Sequence, residues 1–236
     1  PSRGAEGGLL GRLRTEGGRG GPRPPVRVAR PSPGRRASAR RAAAFGLAYR
    51  GSVTRPPWTP PETIETPRLR LRRPRSDDAE AVFAYASDPV VTRLMDWPTH
   101  LSIETSRRFL AYCETGWETG TEFTWLLTLP PSGRAVGAIA CRPKERGVEL
   151  GYVLHRDVHG RGLATEASRA VVGWLKAVPD VVRIEATCDV ENEASARVLE
   201  KAGLARERLL PAYGARPNLG PEPRGALLFA WTRTAD

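Results

Sequence analysis

Long apolar runs are missing from this sequence. No stretch of 18 or more residues is apolar, which leaves no candidate for a membrane-spanning helix; the longest are of strand length, such as Trp125 to Leu129. Cysteine is scarce: Cys113, Cys141 and Cys188 are an odd number, widely spaced, with no signal peptide ahead of them. That argues against a disulfide framework, and the lack of any C-x₂₋₄-C pair argues against a zinc site. The three are read as reduced packing residues. Only three histidines occur, and there is no H-E-x-x-H signature. His155 and His159 stand four apart, but Gly160 and Gly162 break the helix that such a metal pair needs, so no metal is expected. Lysine is absent from the first 60 residues, which hold 13 Arg and 2 Glu, a net +11 equal to the formal charge of the whole chain. The rest carries 24 basic against 24 acidic residues. The basic character therefore belongs to a tail, and a neutral domain offers no nucleic-acid surface on the fold itself.

What is present divides the 236 residues in two. Residues 1–61 are an Arg/Gly/Pro-rich segment without helical or strand period, and read as a disordered tail, unable to bury enough apolar area to offset its conformational entropy. Ala29 to Arg50 is acid-free and rich in Arg, Ala and Ser, a composition shared by transit peptides, plain solvated tails and gene-start artefacts alike. Residues 62–236 read as one domain, with order starting near Ile64. Arg68 to Arg72 alternates as a half-buried edge strand. Ser76-Asp77-Asp78 offers a cap and an acidic first turn to a helix over Ala79 to Ala86, which Asp88-Pro89 ends. A second helix starts at a Ser102 cap and runs through Cys113. Phe123–Leu129 and Ala135–Cys141 form a hairpin across Pro130-Pro131-Ser132-Gly133. Val148–Leu154 is a strand, Ala164–Trp174 an amphipathic helix, Arg183–Cys188 a strand, Ala194–Ala202 a short helix closed by Gly203, and Leu227–Thr232 a last strand. One strand-helix-strand crossover (148–154, 162–176, 183–189) stands among otherwise sequential strands, so the fold class is a mixed α/β (α+β) domain around one central sheet.

The most informative stretch is Asp157-Val158-His159-Gly160-Arg161-Gly162-Leu163-Ala164-Thr165, between a strand and a helix. Paired glycines let backbone approach a ligand, and the free N–H groups of a helix start attract phosphate. A Walker A loop is excluded because no Gly-Lys pair exists, and a dinucleotide fingerprint lacks its third small residue at Thr165 and its place at a domain start. A flexible entry loop is the plain alternative. The second stretch runs from Asp189 through Asn192, a cap residue, and Ser195 to Gly203, and taken alone is a well-capped surface helix.

Together these stretches resemble the Gcn5-related N-acetyltransferases, in particular the RimJ/RimL-like branch. The likeness rests on Glu149-Leu150-Gly151-Tyr152-Val153-Leu154, on Gly160-Arg161-Gly162-Leu163-Ala164-Thr165-Glu166-Ala167, on Asn192, Ser195 and Glu200-Lys201-Ala202-Gly203-Leu204, and on the opening Thr66 to Arg72. It spans about residues 62 to 236 and implies a single domain with a central mixed, mostly antiparallel sheet flanked by helices. It further implies an acetyl-CoA-dependent transfer to a primary amine, of a protein or a small molecule, by direct attack and without a metal.

By that resemblance Glu149 is the general base and Ser195 the acid that protonates the departing thiolate, because Leu199 stands where many members have Tyr. A backbone N–H of strand 148–154 meets the developing oxyanion. Val153 and Leu154 hold the pantetheine arm by their backbone, His159, Gly160, Arg161, Gly162, Leu163 and Ala164 surround the pyrophosphate, and Asn192 holds the arm or orders its loop. Asp157 stands where the family often has Gln or Arg. Gly225 stands where the branch usually has Asp, in a proline-stiffened loop over Pro217 to Gly225 that reaches over the site. Met95 to His100 helps to form the acceptor cleft. The expected setting is cytosolic, as monomer or homodimer, away from membranes, with any nucleic acid met only through the basic tail. A coenzyme-binding module without turnover, and a binder of RNA or the ribosome through the basic tail, are the rival readings.

Overall fold

The computed structural model describes residues 55–145 and 147–234. Of the 1–61 segment, residues 1–54, with the targeting and RNA-binding readings placed on them, lie outside the described residues. A single sheet of eight strands has the order β1-β2-β3-β4-β5-β6-β8-β7. The strands are β1 Thr63–Glu65, β2 Arg70–Arg72, β3 Phe123–Leu129, β4 Arg134–Lys144, β5 Gly147–Leu154, β6 Arg183–Asp189, β7 Ala205–Arg216 and β8 Gly220–Thr232. Every neighbouring pair is antiparallel except β5 and β6. The helices are α1 Ala79–Ala86, α2 Pro89–Thr92, α3 Ile103–Thr119, α4 Leu163–Ala177 and α5 Glu193–Lys201. This is the mixed, mostly antiparallel α/β fold expected.

Both faces of the sheet are covered, which explains why β3 is apolar throughout rather than alternating. Its Phe123, Trp125 and Leu127 pack with Val171, Leu175 and Leu163 of α4. Leu126, between them, turns to the other face and packs with Val82 and Tyr85 of α1 and Leu110 of α3. Cys113, Cys141 and Cys188 are free and buried, as small apolar residues usually are.

Four readings of the elements are corrected. The strand expected at Arg68–Arg72 is not an edge, because β1 pairs outside it with Thr63 opposite Arg72; three residues are too short to show a period. Packing also starts ahead of Ile64: Trp58 stacks at 5.5 Å from Phe123 and 5.6 Å from Trp174. Asp88-Pro89 ends α1 but opens α2, with the Asp88 carboxylate accepting from Val90 N at 2.8 Å and proline at the position that needs no N–H. The fourth correction is the largest. The last strand begins at Gly220, not Leu227, and pairs with β7, which the sequence does not announce. β7 is an outer strand, mostly exposed, with an irregular register around Pro211; an edge tolerates proline and needs no apolar alternation.

Candidate active site

β5 and β6 pair at only two positions, Val148 with Ile184 and Glu149 with Glu185. Past Glu149 the parallel strands part, and a cavity of about 610 Å³ fills the gap. The ladder on the other side of β5 is unbroken from Gly147 to Leu154. It continues with His155 N donating to Val136 O at 2.8 Å. Antiparallel residues alternate in the side to which they offer their backbone groups, so Leu150, Tyr152 and Leu154 turn theirs toward the gap. Val153 turns its backbone to Ala138 on β4. The Leu154 carbonyl, on the gap side, meets His159 Nε2 at 2.9 Å, which ties the following loop to the strand end.

That loop carries Gly160 and Gly162 at φ 73° and 76°, the left-handed region that side chains with a Cβ resist. No side chain caps α4, a 15-residue helix, so its first N–H groups have no side-chain acceptor, an arrangement that favours anions. Its first turn is fixed from outside: Glu166 accepts from Thr66 Oγ1 at 2.7 Å, from Arg68 N at 2.8 Å and from Arg68 Nε at 2.6 Å. Burial opposes its charge, but these donors hold the Glu166 carboxyl below its usual range. Arg68 Nη1 also donates to Arg161 O at 2.8 Å. The opening motif and the glycine motif, distant in sequence, are thus one physical unit.

Glu149, at the point of divergence, lines the cavity with Lys144 Nζ 2.7 Å from its Oε2. Lys144 reaches Glu185 at 3.0 Å as well. Burial works against the lysine's charge, yet the two carboxylates outweigh it and raise its pKa. Across the gap, Asn192 Oδ1 accepts from Ser195 N at 3.1 Å and caps α5. Ser195 Oγ lies 2.7 Å from the Tyr152 hydroxyl. Burial pushes the Tyr152 phenol well above its ordinary value, so it stays protonated at neutral pH. Leu199 is buried beside them.

Glu149, Val153, Leu154, His159, Gly160, Gly162, Leu163, Ala164, Asn192 and Ser195 all line this one cavity. Arg161 is not among the lining residues; it is exposed, and its carbonyl accepts from Arg68. Two contributors went unnoticed in the sequence. Tyr152 is present in the strand motif, but only the side-chain direction shows that it faces Ser195. Asn218 ties the β7–β8 turn to the segment that lines the cavity over Met95–His100: its Oδ1 accepts from Thr99 N and Thr99 Oγ1 at 2.8 and 3.0 Å. Its Nδ2 donates to Thr92 O and Trp97 O at 2.7 and 2.9 Å. The stretch Pro217–Gly225, expected as a stiff loop, is a turn and the start of β8, joined through Asn218 to Thr92, Trp97 and Thr99.

A parallel pair that splays beside a glycine-rich helix start is matched by the acetyltransferase (GNAT) domain family model over residues 68–205. The chain belongs to the GNAT acetyltransferase family. YoaA of Bacillus subtilis, an N-acetyltransferase itself uncharacterised, is 31% identical over 153 residues, 64% of this chain and 86% of YoaA. The crystal structure of a GNAT-family acetyltransferase from Bacillus anthracis has a TM-score of 0.62 at 26% identity, covering 72% of this chain and 98% of that one. RimL, a ribosomal L7/L12 alpha-N-protein acetyltransferase solved in complex with coenzyme A, has a TM-score of 0.65 at 19% identity, covering 74% and 100%. The last likeness is one of fold.

Proposed function

We propose that this acetyltransferase moves an acetyl group from acetyl-CoA to a primary amine by direct attack, in the manner of the RimJ/RimL-like branch. The observation that carries the reading is the splay of β5 from β6 beneath an uncapped helix start. It offers backbone groups to a pantetheine arm along one side and N–H donors to a pyrophosphate at the end. The residues fit that coenzyme: the left-handed glycines keep the loop low, and a Cβ built at Gly160 meets nothing within 4 Å.

Bound acetyl-CoA supplies the acetyl group as a thioester. Amines arrive mostly protonated, since a lysine side chain has a pKa of about 10.4 and an α-amine about 7.7–8.0. Glu149 takes up that proton directly or through water. Its Oε2 is held by Lys144. The gap-facing N–H groups of β5 donate to the carbonyl oxygen as charge builds on it. Ser195, hydrogen-bonded to the protonated Tyr152, delivers a proton to the departing sulfur. The free buried cysteines agree with a cytosolic setting.

Glu149→Gln tests the assignment. Loss of a general base lowers kcat/KM by about 10²–10⁴-fold and removes the rise of rate with pH that reports its deprotonation. A pH–rate profile unchanged in the variant removes Glu149 from the mechanism. A wild-type chain that binds acetyl-CoA yet releases no CoA with any amine is a binding module without turnover.

A further inference from the structure

We propose that the guanidinium of Arg216 anchors an anionic group on the acceptor, so that the amines this enzyme acetylates also carry a carboxylate or phosphate. The proposal rests on the acetyl-transfer reading above and extends it to the substrate class.

Arg216 ends β7, lines the cavity and is 4% exposed. Among the described residues its guanidinium makes no hydrogen bond. Its Nε is buried without a partner, and the nearest carboxylate oxygen, Asp189 Oδ2, is 3.5 Å away, too far for a good bond. Asp189 is already committed. Arg224 donates to it from Nε at 2.9 Å and Nη2 at 3.2 Å, and Glu191 N donates at 3.0 Å. Glu191 in turn takes Arg224 at 2.6 Å and Arg93 at 3.2 Å. Three guanidiniums thus share two carboxylates, and the one that lines the cavity is the one that holds its carboxylate by a long ion pair without a hydrogen bond. The comparison with other poorly exposed arginines is direct. Arg72 holds Asp78 with both Nη groups, at 2.8 and 2.6 Å, and Arg142 holds Glu122 at 2.7 Å. Buried charges are kept where they are paired, so Arg216 is arranged for a partner that arrives.

Its place says which partner. Arg216 stands two residues before Asn218, which joins the β7–β8 turn to the Thr92–Thr99 wall. Among the described residues no hydrogen bond or ion pair joins Arg216 to the glycine loop at the start of α4, so the charge is assigned to the acceptor and not to the pyrophosphate. A planar guanidinium fork binds a carboxylate or a phosphate through two parallel N–H bonds.

The test is thermal melting in the presence of saturating coenzyme A, which fills the pyrophosphate site, with added succinate, inorganic phosphate or the neutral succinamide. The anions raise the wild-type melting temperature, succinamide does not, and R216Q abolishes the effect; the stronger of succinate and phosphate identifies the oxyanion. In turnover, R216Q raises KM for amines bearing the oxyanion by at least about tenfold, the equivalent of one charge-assisted hydrogen bond. KM for matched neutral amines and for acetyl-CoA stays unchanged. An anion effect that persists in R216Q, one missing from the wild type, or a fall in acetyl-CoA affinity instead, overturns the proposal. If R216Q does not fold, R216K and the wild type decide: succinate must compete with the amine and not with acetyl-CoA. Failure of the underlying reading looks different, as no turnover with any amine while the Arg216-dependent anion effect remains.

Discussion

Asn218→Ala cuts the clasp that holds the β7–β8 turn against the Thr92–Thr99 segment. One side chain makes four hydrogen bonds there, two as acceptor to Thr99 and two as donor to the carbonyls of Thr92 and Trp97. Each is worth about 0.5–1.5 kcal/mol net. The site is half-buried, so water replaces some of them on removal, and the expected loss is about 2–4 kcal/mol. Part of it falls on global stability, read as a lower urea midpoint at unchanged slope. The rest appears as local opening, read as faster hydrogen exchange at the Thr99 amide. Asn218→Asp keeps the acceptor for Thr99 but sets a carboxylate against two carbonyls, so it loses at least as much. An unchanged midpoint together with unchanged Thr99 protection would refute the clasp, because four bonds cannot vanish without appearing in one of the two.

Two further predictions concern the cavity walls. His100, beside Trp97 and bonded at Nδ1 to Ser106 Oγ at 2.9 Å, is held by burial, with help from Arg108, at a pKa of about 4 against an ordinary 6.5. Between these values the unfolded chain binds the proton and the folded chain does not. Stability therefore falls as pH drops through that window, by up to about 3 kcal/mol. Denaturant titrations from pH 7 to pH 4 show this slope in the wild type and lose it in His100→Asn. Gly162→Ala meets only the end of Arg68, 3.6 Å away, so its cost is the left-handed backbone, about 1–2 kcal/mol. Weaker acetyl-CoA binding should accompany that cost, and calorimetric titration checks it.

Much of the domain was legible because its signals are local. The hairpin of β3 and β4, the crossover through α4, and the Asn192 cap each follow from periodicity, glycine or a capping residue within a few positions. The residues of the two motifs also meet in one cavity, as their likeness to a family implied. Other features escaped because they depend on partners elsewhere in the chain. β7 is an exposed edge strand whose pairing, not its composition, makes it a strand. Arg161 is exposed and outside the cavity lining, and its carbonyl is held by Arg68, 93 residues away. Val153 is in the right strand, but the phase of the ladder with β4, visible only once His155 is seen to bond Val136, turns its backbone away from the gap. Tyr152 and Asn218 act across 43 and up to 126 residues of sequence, distances at which residue spacing carries no information.

The central claim is that the splayed β5–β6 pair and the α4 start bind acetyl-CoA, and its most direct measurement is the melting temperature with and without the coenzyme. At about 100 times its Kd a ligand adds roughly 2.7 kcal/mol, which in a domain of this size raises the melting temperature by about 5–10 °C. The account predicts that rise. No shift at millimolar acetyl-CoA would contradict it.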